Sequence, residues 1–140
     1  MKLDSRIIAL CFVVAGPSLA LAQNAGPTPQ VQASMVTSGS SLALGQKIPM
    51  NTFKVEDDIV SIVLMTWSPA TASAGRHFVE HRWLQDANIV SDNKHAVSFN
   101  STPVTLASRR PGAAFGAGQF EVQTLLDGVV VGDEQFSITK

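Results

Sequence analysis

The chain has 140 residues, ten basic and eleven acidic, and 45% of it is hydrophobic. A near-neutral balance with no basic stripe argues against nucleic acid as a partner. The length suits one domain with its own apolar core.

The N-terminus reads as an export signal. Lys2 and Arg6 give a positive start, Ile7 to Ala15 form a short apolar run, Gly16 and Pro17 break it, and Ala20-Leu21-Ala22 is a small-residue cleavage site before Gln23. The apolar run is too short for a membrane-spanning helix, which needs roughly twenty apolar residues. Cys11 follows Leu10 in the middle of the run, which is not the lipoprotein position. The expected domain plan is a signal peptide over 1–22, a flexible tether with an edge strand over 23–50, and a β-sandwich over 51–140. Processing would leave eight basic and ten acidic residues and no cysteine, so stability must come from core packing and not from disulfides.

Gln23 to Pro29 is a polar, Gly/Pro-containing stretch that cannot bury enough apolar surface to offset its ordering entropy. Val31, Ala33 and Met35 then alternate weakly, as an edge strand would, and Ser38-Gly39-Ser40-Ser41 reads as a loop. Ile59 to Trp67 is apolar without interior charge, the pattern of a central strand covered on both faces. Arg76 to Gln85 is expected as a strand, with helix as the alternative, because Val79, Trp83 and Ala87 also follow helical spacing. A turn at Asp86 to Asn88 and short strands at Ala96 to Phe99 and Val104 to Ala107 follow. Arg109-Arg110-Pro111-Gly112 and the stretch to Gly118 are expected to form a loop.

The clearest signal lies near the C-terminus. Phe120, Val122, Thr124 and Leu126 alternate with Glu121 and Gln123, and Asp127-Gly128 is a preferred pair for a tight hairpin. Val129 to Val131 begins the return, Gly132-Asp133 marks a bulge, and Phe136 and Ile138 share a face. Short strands and frequent turns predict an all-β sandwich or barrel.

The phrase GQFEVQTLLDGVVVGDEQFSI resembles the last two strands of immunoglobulin-like sandwich domains of secreted bacterial proteins, and Trp83 lies on an earlier strand as in such folds. The resemblance covers roughly Phe53 to Lys140 and implies a single immunoglobulin-like β-sandwich, without a ligand. Phe120 and Val122 stand where antibody domains carry a corner tyrosine and the second bridging cysteine.

Chemistry-bearing patterns are few. His77-Phe78-Val79-Glu80-His81 matches the HxxEH zinc-protease string, which works only on a helix. In a strand its two histidines stand roughly 13 Å apart at Cα, too far to share one ion comfortably. A metal carrier is a less demanding alternative: a turn could place His95 beside His77 or His81, with Asp92 or Glu80 completing a site. Small copper-carrying periplasmic sandwiches are similar in length, leader and final strand pair, but have histidines where this chain has Val129 and Gln23. Met35, Met50 and Met65 are not clustered.

Asp86-Ala87-Asn88 opens like a calcium loop but has Ser91 and Val97 where Gly and Glu are required. Glu56-Asp57-Asp58 reads as a solubilising acidic cluster, and Asn100-Ser101-Thr102 is a glycosylation sequon relevant only to a eukaryotic secretory pathway. No GxSxG elbow, phosphate-binding glycine loop or mature thiol is present. Arg82, Trp83, Arg109 and Arg110 are residue types that carry interface energy. The expectation is an exported, non-catalytic binding or accessory protein of the bacterial envelope with no catalytic residue, metal ligand or cofactor. Its partner would be an envelope protein, a protease to be inhibited or a polysaccharide.

Overall fold

The computed structural model describes residues 26–140, so the expected leader, its cleavage site and Cys11 lie outside the described residues. The strands are β1 (Gln30–Ser38), β2 (Thr52–Lys54), β3 (Asp58–Thr66), β4 (Gly75–Gln85), β5 (Asn88–Phe99), β6 (Val104–Pro111), β7 (Gly118–Leu126) and β8 (Val129–Thr139). A five-residue helix, α1 (Gly39–Ala43), and a 3₁₀ turn at Gly112–Ala114 complete the elements. Two sheets form, one ordered β1-β3-β6 and the other β2-β8-β7-β4-β5. All strand pairs are antiparallel except β2 with β8.

The alternating apolar residues explain the sandwich directly. Val79 and Trp83 on β4, Phe120, Val122 and Leu126 on β7, and Phe136 and Ile138 on β8 point to one side of the larger sheet, and all are buried. They meet Ile59, Val63 and Met65 of β3 and Leu106 of β6 from the smaller sheet. β3 is the centre of its sheet, and five consecutive residues from Ile59 to Val63 are buried, as expected for a strand covered on both faces.

Both hairpin turns of the larger sheet need positive φ. Asp127 and Gly128 have φ of 50° and 84° in the turn joining β7 to β8, and Asp86 and Ala87 have 49° and 64° in the turn joining β4 to β5. Such turns match the right-handed twist of the strands they join. The bulge expected at Gly132-Asp133 falls one residue earlier. Thr124 pairs with Gly132 and Leu125 with Val130, which leaves Val131 as the extra residue.

Several elements differ from the sequence reading. β1 pairs with β3 over most of its length and contributes Val36 to the core, so the sandwich includes residues that the sequence placed before the domain. Ser38 to Ser41 is not a loop: Ser38 caps α1, its hydroxyl accepting from the Ser41 amide at 3.1 Å. β5 runs for twelve residues where only Ala96 to Phe99 was expected, because an edge strand exposed on both faces needs no alternating apolar pattern. β6 continues through Arg109-Arg110-Pro111, which were expected in a loop. Arg109 pairs with Val60 in the ladder, and its guanidinium Nε donates to Asp58 at 3.1 Å, so a charged strand end is held at a sheet edge.

The core divides into two apolar clusters. One gathers Val36, Phe53, Ile59, Trp83, Phe120, Val122, Phe136 and Ile138; the other gathers Val63, Met65, Trp67, Ala74, Val79, Phe99, Leu106 and Leu126. In the first, Trp83 is fully buried, lies edge-on to Phe136 at 5.9 Å and donates its indole N–H to Ser108 at 3.2 Å. Phe120 stacks on Phe136 at 5.7 Å, an aromatic pair across the β7–β8 ladder. Trp83→Ala is expected to destabilise the domain by about 3–5 kcal/mol, through lost contacts, a cavity and an unpaired Ser108. Urea unfolding measures this, and an unchanged midpoint would contradict the central place given to Trp83.

Candidate functional site

β4 carries most of the candidate residues, and its strand conformation sorts them. His77, Val79, His81 and Trp83 point inward, while Phe78, Glu80 and Arg82 point outward. HxxEH is therefore split: its glutamate lies on the opposite face of the sheet from its histidines, and the motif has no protease geometry.

The two histidines have separate environments. His77 is buried with Nδ1 2.6 Å from the Asp127 carboxylate and Nε2 2.9 Å from the carbonyl of Ala74. The other Asp127 oxygen accepts the Phe78 amide at 2.8 Å, and the Asp127 amide donates to the Phe78 carbonyl at 2.8 Å. Burial alone would raise the pKa of Asp127, but the His77 hydrogen bond, the Phe78 amide and the His77 charge together lower it. His77 is thus a clamp that fastens the β7–β8 hairpin to the start of β4, with both ring nitrogens engaged.

His81 is 1% exposed, with Nδ1 3.1 Å from the Thr124 hydroxyl and Nε2 without a protein partner. His95 of β5 stands beside it, ring centroids 6.4 Å apart. The structure therefore brings together two of the three histidines considered for a metal, His81 and His95, and commits His77 elsewhere. Among the described residues no group of three or more His, Cys, Asp or Glu side chains is placed to hold a metal ion.

Arg110, from β6, crosses towards β5 and donates from Nε to Ser91 at 3.0 Å and from Nη1 to the Arg109 carbonyl at 2.9 Å. It joins the sheets at their open side, where Val90, Ser91, Arg110 and Phe115 line a groove. The acidic cluster is also structural in part: Asp57 accepts the Lys54 amide at 2.8 Å and Asp58 holds Arg109. Asp86 and Ala87 form the tight hairpin turn, and no calcium loop exists there.

The outward face of the larger sheet is the most varied surface. At one end, Phe78 is 56% and Val130 46% exposed, around a buried Leu125. In the middle, Glu80 accepts from Arg82 Nε at 2.7 Å, and the register sets Lys94 opposite Glu80 and Asp92 opposite Arg82. At the other end Glu121 and Asp133 lie close. Burial first, then a hydrogen bond and repulsion from Glu121 and repulsion from Glu134, raise the pKa of Asp133. Sequence reasoning missed Asp127 and Thr124 as partners of the histidines. The Asp-Gly turn marked Asp127 only as a turn residue, and its partner lies fifty positions away.

β1, β3 and β6 correspond to strands A, B and E of an immunoglobulin-like domain, and β4, β5, β7 and β8 to C, C′, F and G, with the buried Trp83 on strand C. The chain is an all-β immunoglobulin-like sandwich. No protein-family model matches the sequence, and no curated protein sequence matches it. A β-glucosidase from Erythrobacter marinus is similar in structure, at 7% identity and a TM-score of 0.50, over 81% of this chain and 16% of that one. The chain thus spans about one sixth of the glucosidase's length. An immunoglobulin-like protein from Pseudomonas aeruginosa aligns at 10% identity and a TM-score of 0.49, covering 84% of this chain and 99% of the other. A CARDB domain from Pyrococcus furiosus aligns at 8% and 0.48, over 81% and 94%. Among the described residues no helix is long and apolar enough to cross a membrane.

Burial, then the nearby His95 and Arg110 charges, lower the pKa of His81 from 6.5 to about 4, so it is neutral at pH 7. The unfolded chain takes up this proton near pH 6.5 and the folded chain only near 4. Stability present above pH 6.5 is therefore lost progressively as the pH falls towards 4, by on the order of 3 kcal/mol if the whole shift is expressed. Urea unfolding between neutral pH and about pH 4.5 should show a shallower loss in His81→Gln than in the wild type. Equal slopes would show that another group drives the acid loss.

Proposed function

We propose that the chain is an exported, non-catalytic binding or accessory protein of the bacterial envelope, and that it binds through the outward face of its larger sheet. The observation that carries this reading is the pair of half-exposed apolar side chains, Phe78 and Val130, set around Leu125 beside the Glu80–Arg82 ion pair. An aromatic anchor beside satisfied charges is the composition of a recognition surface. The inward polar groups support the same reading, because His77, Thr124 and Ser108 are engaged in hydrogen bonds that hold β4 to neighbouring strands and turns. The partner class fits a protein better than a polysaccharide, since a protein offers an apolar pocket for Phe78.

A second reading, a small copper or zinc carrier, has one specific observation in its favour: the unpartnered Nε2 of His81 with the His95 ring nearby. It has two histidines to work with, since His77 is held by Asp127 and Ala74.

Site-specific photo-crosslinking in the native cell tests the first reading. A crosslinker at position 78 should give a discrete adduct with an envelope protein, whereas one at the exposed Thr105 on the opposite sheet should not. Equal labelling at both positions, or a protein retained in the cytoplasm with its leader intact, would refute it. Native mass spectrometry after zinc or copper addition should show no stoichiometric adduct. A one-to-one adduct lost in His81→Ala/His95→Ala would favour the carrier.

A further inference from the structure

Among the described residues four strands end a sheet, and three of them are short or blunted. β2 has three residues, β6 ends in Arg109-Arg110-Pro111, and β1 has a register irregularity between Val31 and Ala33. β5 is the longest edge, twelve residues without proline or glycine, and its one ladder is with β4. Its far side presents unpaired backbone N–H and C=O groups, a template for another strand. The bulge at Val90, where Trp83 pairs with Ser91 but Leu84 with Ile89, leaves Ser91 to Phe99 in regular register, and Ser91 to His95 is the charged half of that stretch.

The side chains along that part are self-complementary. Asp92 and Lys94 flank Asn93 and both project outward opposite Arg82 and Glu80; among the described residues neither forms an ion pair, and Lys94 Nζ lies 5.6 Å from the centroid of the Phe78 ring. An antiparallel pairing of two copies about a twofold axis at Asn93 sets Asp92 against the partner's Lys94, and Lys94 against the partner's Asp92. Each row then reads, across four strands, Glu80, Lys94, the partner's Asp92, the partner's Arg82, with the sign alternating at every step. Opposite charges directly across an antiparallel ladder attract, and moving the twofold axis from Asn93 to Asp92 or to Lys94 would set Asp92 against the partner's Asp92 or Lys94 against the partner's Lys94. On the inward side Ser91 would meet the partner's His95. A strand of unrelated sequence would match this pattern only by chance, whereas a second copy matches it by symmetry.

We propose that the protein forms a twofold dimer by pairing β5 with β5 of a second copy, centred on Asn93, which joins the two five-stranded sheets into one. This goes beyond the binding reading above, since Phe78 and Val130 stay outside the pairing edge. Sedimentation velocity on the mature full chain, over a roughly hundredfold concentration range, reads the association. The wild type should dimerise with rising concentration, less so at high salt. Asp92→Lys and Lys94→Asp should each weaken dimerisation by about tenfold or more by juxtaposing like charges. An equimolar mixture of the two variants should recover it as a heterodimer, since the lysines at positions 92 and 94 of one chain then face the aspartates at positions 94 and 92 of the other. That recovery separates charge pairing from misfolding. A wild type that stays monomeric throughout, variants that dimerise unchanged, or a mixture that stays monomeric would each overturn the proposal.

Discussion

The structure depends on one row of side chains, the inward-facing residues of β4. His77 fastens the β7–β8 turn, Val79 lies in one apolar cluster, His81 sits between the clusters, and Trp83 lies in the other. The period of two that produces this row also puts Phe78, Glu80 and Arg82 on the opposite face. A register slip of one residue would turn the Glu80–Arg82 pair into the apolar core and the tryptophan out of it, so the row fixes the pairing of β4 with both β5 and β7.

The division of the core follows from the same periodicity on four strands. His81 lies between Val79 and Trp83, Thr124 between Val122 and Leu126, and Ser61 between Ile59 and Val63, while Ser108 follows Leu106; all are buried. His81 pairs with Thr124 and Ser61 with Ser108 in the strand registers, so the four form a polar belt across both sheets. Belts of this kind cost desolvation and recover it only through hydrogen bonds. Trp83 to Ser108 and His81 to Thr124 supply two of these, and the unbonded Nε2 of His81 is where the compensation is incomplete. The belt weakens the core relative to an apolar filling, and in return it allows only pairings that bring polar groups to the same level.

What the sequence made legible was whatever a strand announces by itself. The run at β3, the alternation of Phe120, Val122, Thr124 and Leu126, and the Asp127-Gly128 turn were readable because each is a local pattern with a local cause. β5 was legible only over its last four residues, since solvent on both faces removes the alternation that marks a strand. Arg109-Arg110-Pro111 read as a loop by composition, yet an edge strand tolerates both arginine and proline. The candidate site was less legible still. His77 and His81 stood out as residue types, but their roles depend on Asp127 and Thr124, which lie more than forty positions away and become neighbours only through the β4–β7 ladder.

The division of labour between the faces bears on function. Inside the sandwich the titratable groups are largely spent: Asp127 and Ala74 hold His77, and desolvation keeps His81 neutral. Such groups lock a fold and have little capacity left for a ligand. On the outer face the charges are half-satisfied, with Glu80 and Arg82 paired to each other while Asp92 and Lys94 at the margin have no ion-pair partner among the described residues. Unspent electrostatic and apolar capacity thus accumulates on one face and along its free edge, which an immunoglobulin-like sandwich can turn to recognition without altering its core.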